Sequence, residues 1–293
     1  MGLQSFLAIP RLPISWGAGS GKHSLPAVLL AVAPVVLPVA YMAYVLRRNS
    51  QRTTASASIT PPDPLAGNTL KAERGDTLAI PTAVLAAIDE YVIARERVVS
   101  EAVPLESILP ALRGGLSGGK EDSSDENQRL LETYLATTMR MFTWTPQAFA
   151  MKAMVSRLPN GAAAAETFST AYLDACSFEA GDRVCGVYIV REHVVKSSGE
   201  GERILLDLSP PEGWKGPIVS GVLDCGFVVE EKAGERFVRF VNETILWRPK
   251  DGKPTLLEGA VSRWLHTAMI KWMMVKGIQA VTGVDGRTKV KTT

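Results

Sequence analysis

The sequence predicts an α+β domain in which helices come first, then an antiparallel β-meander, then one long closing helix. Three observations predict it. Apolar residues recur at helical spacing from Thr82 onward and again over 126–142. Beyond Gly181, four segments rich in Val, Ile, Phe, Tyr and Trp alternate with turn-forming stretches. The last patterned segment, about 255–281, is far too long for a strand. Ahead of this domain the sequence predicts an N-terminal transmembrane helix. The expected organisation is a leader at 1–24, a span at 25–46, a flexible linker at 47–75 and the α+β domain at 76–293.

The span rests on Leu25 to Leu46, 22 residues without a charge, enough to cross a hydrocarbon core of about 30 Å. Tyr41 and Tyr44 lie near one end and Arg47, Arg48 and Arg52 follow, as at a membrane interface. Pro26, Pro34 and Pro38 count against a straight helix. A cleaved signal peptide and a buried helix are the competing readings. Three basic residues after the span place the globular domain on the cytosolic side. The acid-free leader, with Arg11 and several serines, also resembles an organelle-targeting peptide, which would place the span in an organelle membrane.

The next segment, 47–75, is polar and rich in Ser, Thr and Pro, and reads as a tether. From Thr82 a helix is expected, with Val84, Leu85, Ile88, Tyr91 and Val92 at helical spacing. The glycine-rich and then acidic stretch 113–128 reads as a loop. A second helix over 126–142 turns Leu131, Tyr134, Leu135, Thr138 and Phe142 inward. Thr145-Pro146 starts a third, with Thr as N-cap and Pro in the first turn, where its missing N–H costs nothing. An alanine-rich helix then reaches about Cys176. The strands are expected at 183–195, 202–208, 217–230 and 236–247. In the closing helix, Leu257, Val261, Trp264, Leu265, Ala268, Trp272 and Val275 form one apolar side, and His266, Met269, Ile270 and Met273 lie on the other.

Charge and cysteine content narrow the function classes. There are 32 Lys and Arg against 30 Asp and Glu, a formal net charge of +2, which argues against a dedicated nucleic-acid binder. Residues 1–62 hold five basic residues and no acid, leaving 27 basic and 30 acidic residues beyond them. Cys176, Cys185 and Cys225 are too few and too odd in number for a disulfide framework. They read as buried thiols, and no cluster with metal-ligand spacing is present. No cofactor motif survives inspection. Gly17 to His23 has His23 where a phosphate loop needs Ser or Thr. The stretch from Gly114 to Lys120 runs on to Glu121, whose carboxylate repels phosphate.

The segments FTWTPQAF (142–149), GDRVCGVYIV (181–190), NETILWR (242–248) and LLEGAVSRWLHTAMIKW (256–272) together resemble a group of uncharacterised filamentous-fungal single-pass membrane proteins, over about residues 127–280. The resemblance implies a fungal source. By topological analogy, a meander closed by a long helix is similar to the helix-grip fold of START-like binding proteins, in which the sheet wraps the last helix around a cavity. A cone-shaped α+β fold is the rival, although its strands end the domain.

Candidate site residues come from the hairpin around Ala233-Gly234. A two-residue turn there pairs Lys232 with Glu235, and then Val229 with Val238, Phe227 with Phe240 and Leu223 with Thr244. On the opposite face, Asp224 falls across from Glu243, with Arg239 on the same side and Trp247, Ile245 and Val222 nearby. Two facing carboxylates repel, so one holds its proton more tightly, the arrangement that divides acid from base. A three-residue turn would separate them; a surface pair bridged by Arg239 is the plain alternative. His193 reads as a solvated histidine, and His266 is a possible helper in the closing helix. The expected function is a membrane-tethered binding module for a lipophilic small molecule, with Arg239, Trp247 and His266 as ligand-binding candidates. The alternative is an isomerase- or dehydratase-type enzyme of fungal secondary metabolism using Asp224 and Glu243. A non-catalytic scaffold with a filled core is the third reading.

Overall fold

The computed structural model describes residues 25–60, 79–113, 123–159, 161–195, 201–216 and 218–283. The chain divides into two compact units, Met1–Tyr44 and Val45–Thr293. The second unit is the α+β domain. Its helices and strands are α1 (Leu25–Arg52, whose last residues belong to this unit), β1 (Thr53–Thr60), α2 (Thr82–Ala86), β2 (Tyr91–Ser100), β3 (Val103–Pro104), α3 (Ser123–Phe142), α4 (Pro146–Val155), α5 (Gly161–Glu166), α6 (Thr170–Ala175), β4 (Arg183–Val184), β5 (Tyr188–Val195), β6 (Gly201–Leu208), β7 (Ser220–Lys232), β8 (Glu235–Pro249) and α7 (Ala260–Thr282).

The strands form one antiparallel sheet in the order β1-β2-β8-β7-β6-β5-β4, with β3 also paired to β8. The β7–β8 hairpin has the register that its turn dictates: Lys232 pairs with Glu235, Phe227 with Phe240 and Asp224 with Glu243. Ala233 and Gly234 both have positive φ, 55° and 80°, as a type I′ turn requires at its two central residues. Helices α3 and α7 lie together on one face of this sheet. Leu131, Tyr134, Leu135, Thr138 and Phe142 are buried there as the spacing predicts. Tyr134 stacks on Phe240 with ring centroids 4.5 Å apart, and its hydroxyl donates to Asn242 Oδ1 at 2.8 Å. Gly277 of α7 meets this ring: a Cβ there would come within 2.6 Å of Tyr134, so glycine sets how closely the two helices approach. Thr145 caps α4, its hydroxyl accepting from the Ala148 N–H at 3.2 Å. The three cysteines are free and buried.

Three expectations are corrected. No helix among the described residues is long and apolar enough to cross a membrane. The transmembrane helix at 25–46, and the single-pass localisation and orientation built on it, are overturned. The uncharged run is the first part of α1, which continues unbroken through Arg47, Arg48 and Arg52 into β1. Those arginines, read as the flank of a span, lie inside an element whose end is built into the folded unit. Asn49 is buried there, and its carbonyl accepts from the Thr53 hydroxyl at 2.7 Å. The leader lies outside the described residues, as does Gly114 to Lys120.

The tether is corrected next. Residues 53–60 are strand β1, paired along their whole length with β2; the rest of 61–75 lies outside the described residues. Third, the helix expected from Thr82 is short. It gives way to the 3-10 turn Ile88–Glu90 and then to β2, where Ala94, Glu96, Val98 and Ser100 are buried at period two. Glu96 interrupts the apolar alternation that would have revealed the strand.

The structure also decides between the two sides of α7. Val261, Trp264 and Leu265 are exposed, whereas Ile270, Met273 and Met274 are buried, together with Leu257 and Val275 at the ends of the first side. Both sides of this helix are apolar, so periodicity alone does not choose the inner one. The side carrying His266 faces the sheet. Between α7 and the sheet, where a helix-grip cavity would lie, Tyr134, Phe227, Phe240, Met273 and Met274 belong to one buried apolar cluster.

Candidate functional site

The five residues singled out by sequence do not converge on one site. Asp224 and Glu243 do face each other, on the sheet face opposite α3 and α7. Their side chains are 12% and 13% exposed. Each has its own guanidinium from a flanking strand: Arg203 Nη1 lies 3.2 Å from Asp224 Oδ2, and Arg95 Nε lies 3.2 Å from Glu243 Oε1. The two arginines offset the repulsion between the facing carboxylates. Arg239 takes no part; it donates to Glu230 Oε2 at 2.7 Å and to the Ser100 carbonyl at 3.3 Å. Trp247 packs in an apolar cluster with Ile93, Leu205, Val222 and Ile245, covered by Ala79, Ile80 and Val84. Arg191, displaced at the bulge between Val190 and Glu192, pairs with Asp207 and donates to the Ala79 carbonyl at 3.1 Å, tying that cover to the sheet.

His266 is on the other face. Its Nδ1 meets Glu96 Oε2, while the Thr267 hydroxyl meets Glu96 Oε1. The histidine side chain is 9% exposed and the glutamate 1%. The trio ties β2 to α7. His193 likewise lies 3.3 Å from the buried Glu202, so it is paired rather than solvated.

Sequence reasoning missed the arginines. Register gives rows across the open face: Ser56, Arg97, Glu243 and Asp224 in one, and Ser58, Arg95, Ile245 and Val222 in the next. The signal was the Arg-Glu-Arg triplet at 95–97, which in a strand sends two arginines to one face and the glutamate to the other. It is legible only once 91–100 is known to be a strand.

Burial pushes the Cys176 thiol up to about 11 and raises Cys185 and Cys225 further, so all three stay protonated near neutrality. Among the described residues no group of three or more His, Cys, Asp or Glu is placed to hold a metal ion. A cavity of about 290 Å³ lies by the hairpin tip, and Glu106, Arg113, Glu235 and Arg236 are among its lining residues. That lining is charged, and none of the five predicted residues belongs to it. No protein-family model, curated protein or solved structure matches the chain.

Proposed function

We propose that the α+β domain is a non-catalytic interaction module that docks an acidic, apolar-anchored segment of a partner protein on the outer side of α7. The observation that carries this reading is the exposure of Val261, Trp264 and Leu265, at 73%, 58% and 56%, on a helix whose opposite side is fastened to the sheet. Large apolar side chains at i, i+3 and i+4 on a rigid helix are the form in which a partner surface is engaged. Helix α7 carries Arg263, Lys271 and Lys276 and no acidic residue. The positive charge of this helix favours an acidic partner over a second copy of the same helix. Two further observations support a binding rather than a catalytic role: the carboxylates are each paired with an arginine, and the His266–Glu96 pair is almost wholly buried.

The test uses labelled amphipathic peptides of matched apolar content, one rich in Glu and one rich in Lys. The acidic peptide is expected to bind with a salt-sensitive affinity that Trp264→Ala and Leu265→Ala each weaken about fivefold or more, in line with anchor residues worth at least 1 kcal/mol. Equal binding of both peptides overturns the reading. So does self-association through this face, or binding of anionic lipid vesicles in preference to the acidic peptide.

A further inference from the structure

We propose that the open face of the sheet carries a second, independent site, one for a phosphate-type oxyanion, at Arg95 and Arg97 with the Ser56 and Ser58 hydroxyls beside them. The argument begins with register. Ser56 is directly opposite Arg97, and Ser58 directly opposite Arg95. All four side chains therefore stand on one face of neighbouring strands. Strand β1 reads TTASASIT, and on this face it presents only Thr and Ser. No large side chain from that strand stands over the guanidinium groups. Ser56 is exposed and Ser58 half-buried, so the approach is from the sheet edge.

Charge gives the second step. Among the described residues nearest the serines, Arg95 and Arg97 stand against Glu243, a surplus of one positive charge, while Arg203 and Asp224 pair with each other. The carboxylates are taken: Glu243 lies beside Arg95, and Asp224 beside Arg203. Arg97 faces Glu243 across the strands yet forms no ion pair or hydrogen bond with a described residue. Its Nε is buried without an acceptor, as is Nη2 of Arg95. A buried charged donor without an acceptor carries a desolvation cost of about 1–3 kcal/mol or more. Two such donors on adjacent rows make a place where an incoming acceptor recovers that cost.

Donor geometry selects the ligand. Guanidinium groups present planar N–H forks that match phosphate and carboxylate oxygens. Two forks and two hydroxyls, arriving from two strands, offer more donors than one planar carboxylate can accept, and a tetrahedral oxyanion fills them. Ile245 and Val222, in the same row as Arg95, form a dry flank that strengthens the charge-assisted bonds.

The test is calorimetric titration of the full chain at constant ionic strength with inorganic phosphate, phenyl phosphate, acetate and chloride. Saturable binding of the phosphates, with acetate and chloride at least tenfold weaker, is the expected result. Arg97→Gln is expected to weaken phosphate binding about tenfold or more, the worth of one charge-assisted hydrogen bond. Ser56→Ala is expected to weaken it about two- to fivefold in a chain whose fold is unaffected, so the proposal stays testable if the arginine variant does not fold. Arg140→Gln, on α3 beside Asp174, is expected to change nothing. Phenyl phosphate binding several-fold tighter than inorganic phosphate assigns the site to a monoester, and equal binding assigns it to free phosphate. Phosphate binding no tighter than chloride, acetate binding as tight as phosphate, or unaltered affinity in Ser56→Ala overturns the assignment.

Discussion

Asp224 and Glu243 show how the charge balance of a correctly placed pair depends on strands outside its hairpin. The turn residues specify the register, and the register puts the carboxylates face to face. What they do depends on Arg203 and Arg95, which arrive from β6 and β2, strands on either side of the hairpin. Considered alone, the pair would repel, and removing one charge would leave stability unchanged or slightly raised. With the arginines in place the sign reverses. Asp224→Asn and Glu243→Gln each leave a largely buried guanidinium short of a carboxylate. Each is expected to destabilise the domain by about 1–3 kcal/mol, read as a lower denaturant midpoint at unchanged slope. A neutral or stabilising result would show that the pairs contribute nothing.

At the scale of elements, the connection from β8 to α7 is held by one arginine. Arg248 donates Nε and Nη2 to the two carboxylate oxygens of Glu258, at 2.9 and 2.7 Å, while Nη1 reaches the Pro249, Lys250 and Gly252 carbonyls. The Thr255 N–H also donates to Glu258, at 2.7 Å. The Arg248 hydrogen bonds, foremost, hold the Glu258 carboxyl below its ordinary value. A folded pKa below the unfolded one means that this contribution is fully present above the ordinary glutamate range. It is lost as pH falls from that range through the lowered folded value. Glu258→Gln is therefore expected to flatten that part of the stability-versus-pH curve and to leave the curve above pH 7 parallel to the parent. A drop of unchanged steepness in the variant would assign the acid sensitivity to other carboxylates.

Across the whole domain, β1 is the decisive element because it covers β2. Without it, β2 becomes an open edge with eight unpaired positions, from Ile93 to Ser100, an invitation to intermolecular pairing. A chain lacking residues 1–44 keeps every residue of the second compact unit and is expected to melt within a few degrees of the full chain. A chain lacking 1–60 is expected to melt clearly lower and to aggregate on heating. Equal melting of the two would mean that β1 is dispensable. Thermal melts with light scattering distinguish these outcomes.

The sequence by itself determined the features that are settled within a few residues. The Ala233-Gly234 turn set thirteen cross-strand pairs, because a two-residue turn admits one register. Thr145-Pro146 marked the start of α4, and the 3.6-residue pattern of α3 named its buried side. Tertiary structure decided what depends on distant partners. Strands β1 and β2 are polar enough to read as a tether and a helix, and they become strands because each supplies the other's backbone hydrogen bonds. Helix α7 is apolar on both sides, and Glu96, 170 residues away in the chain, draws the His266 side inward. Backbone conformation answers to near neighbours. Burial and charge pairing answer to whatever the fold brings alongside, and here that is Arg95, Arg97 and Arg203 on the open face and Glu96 beneath α7.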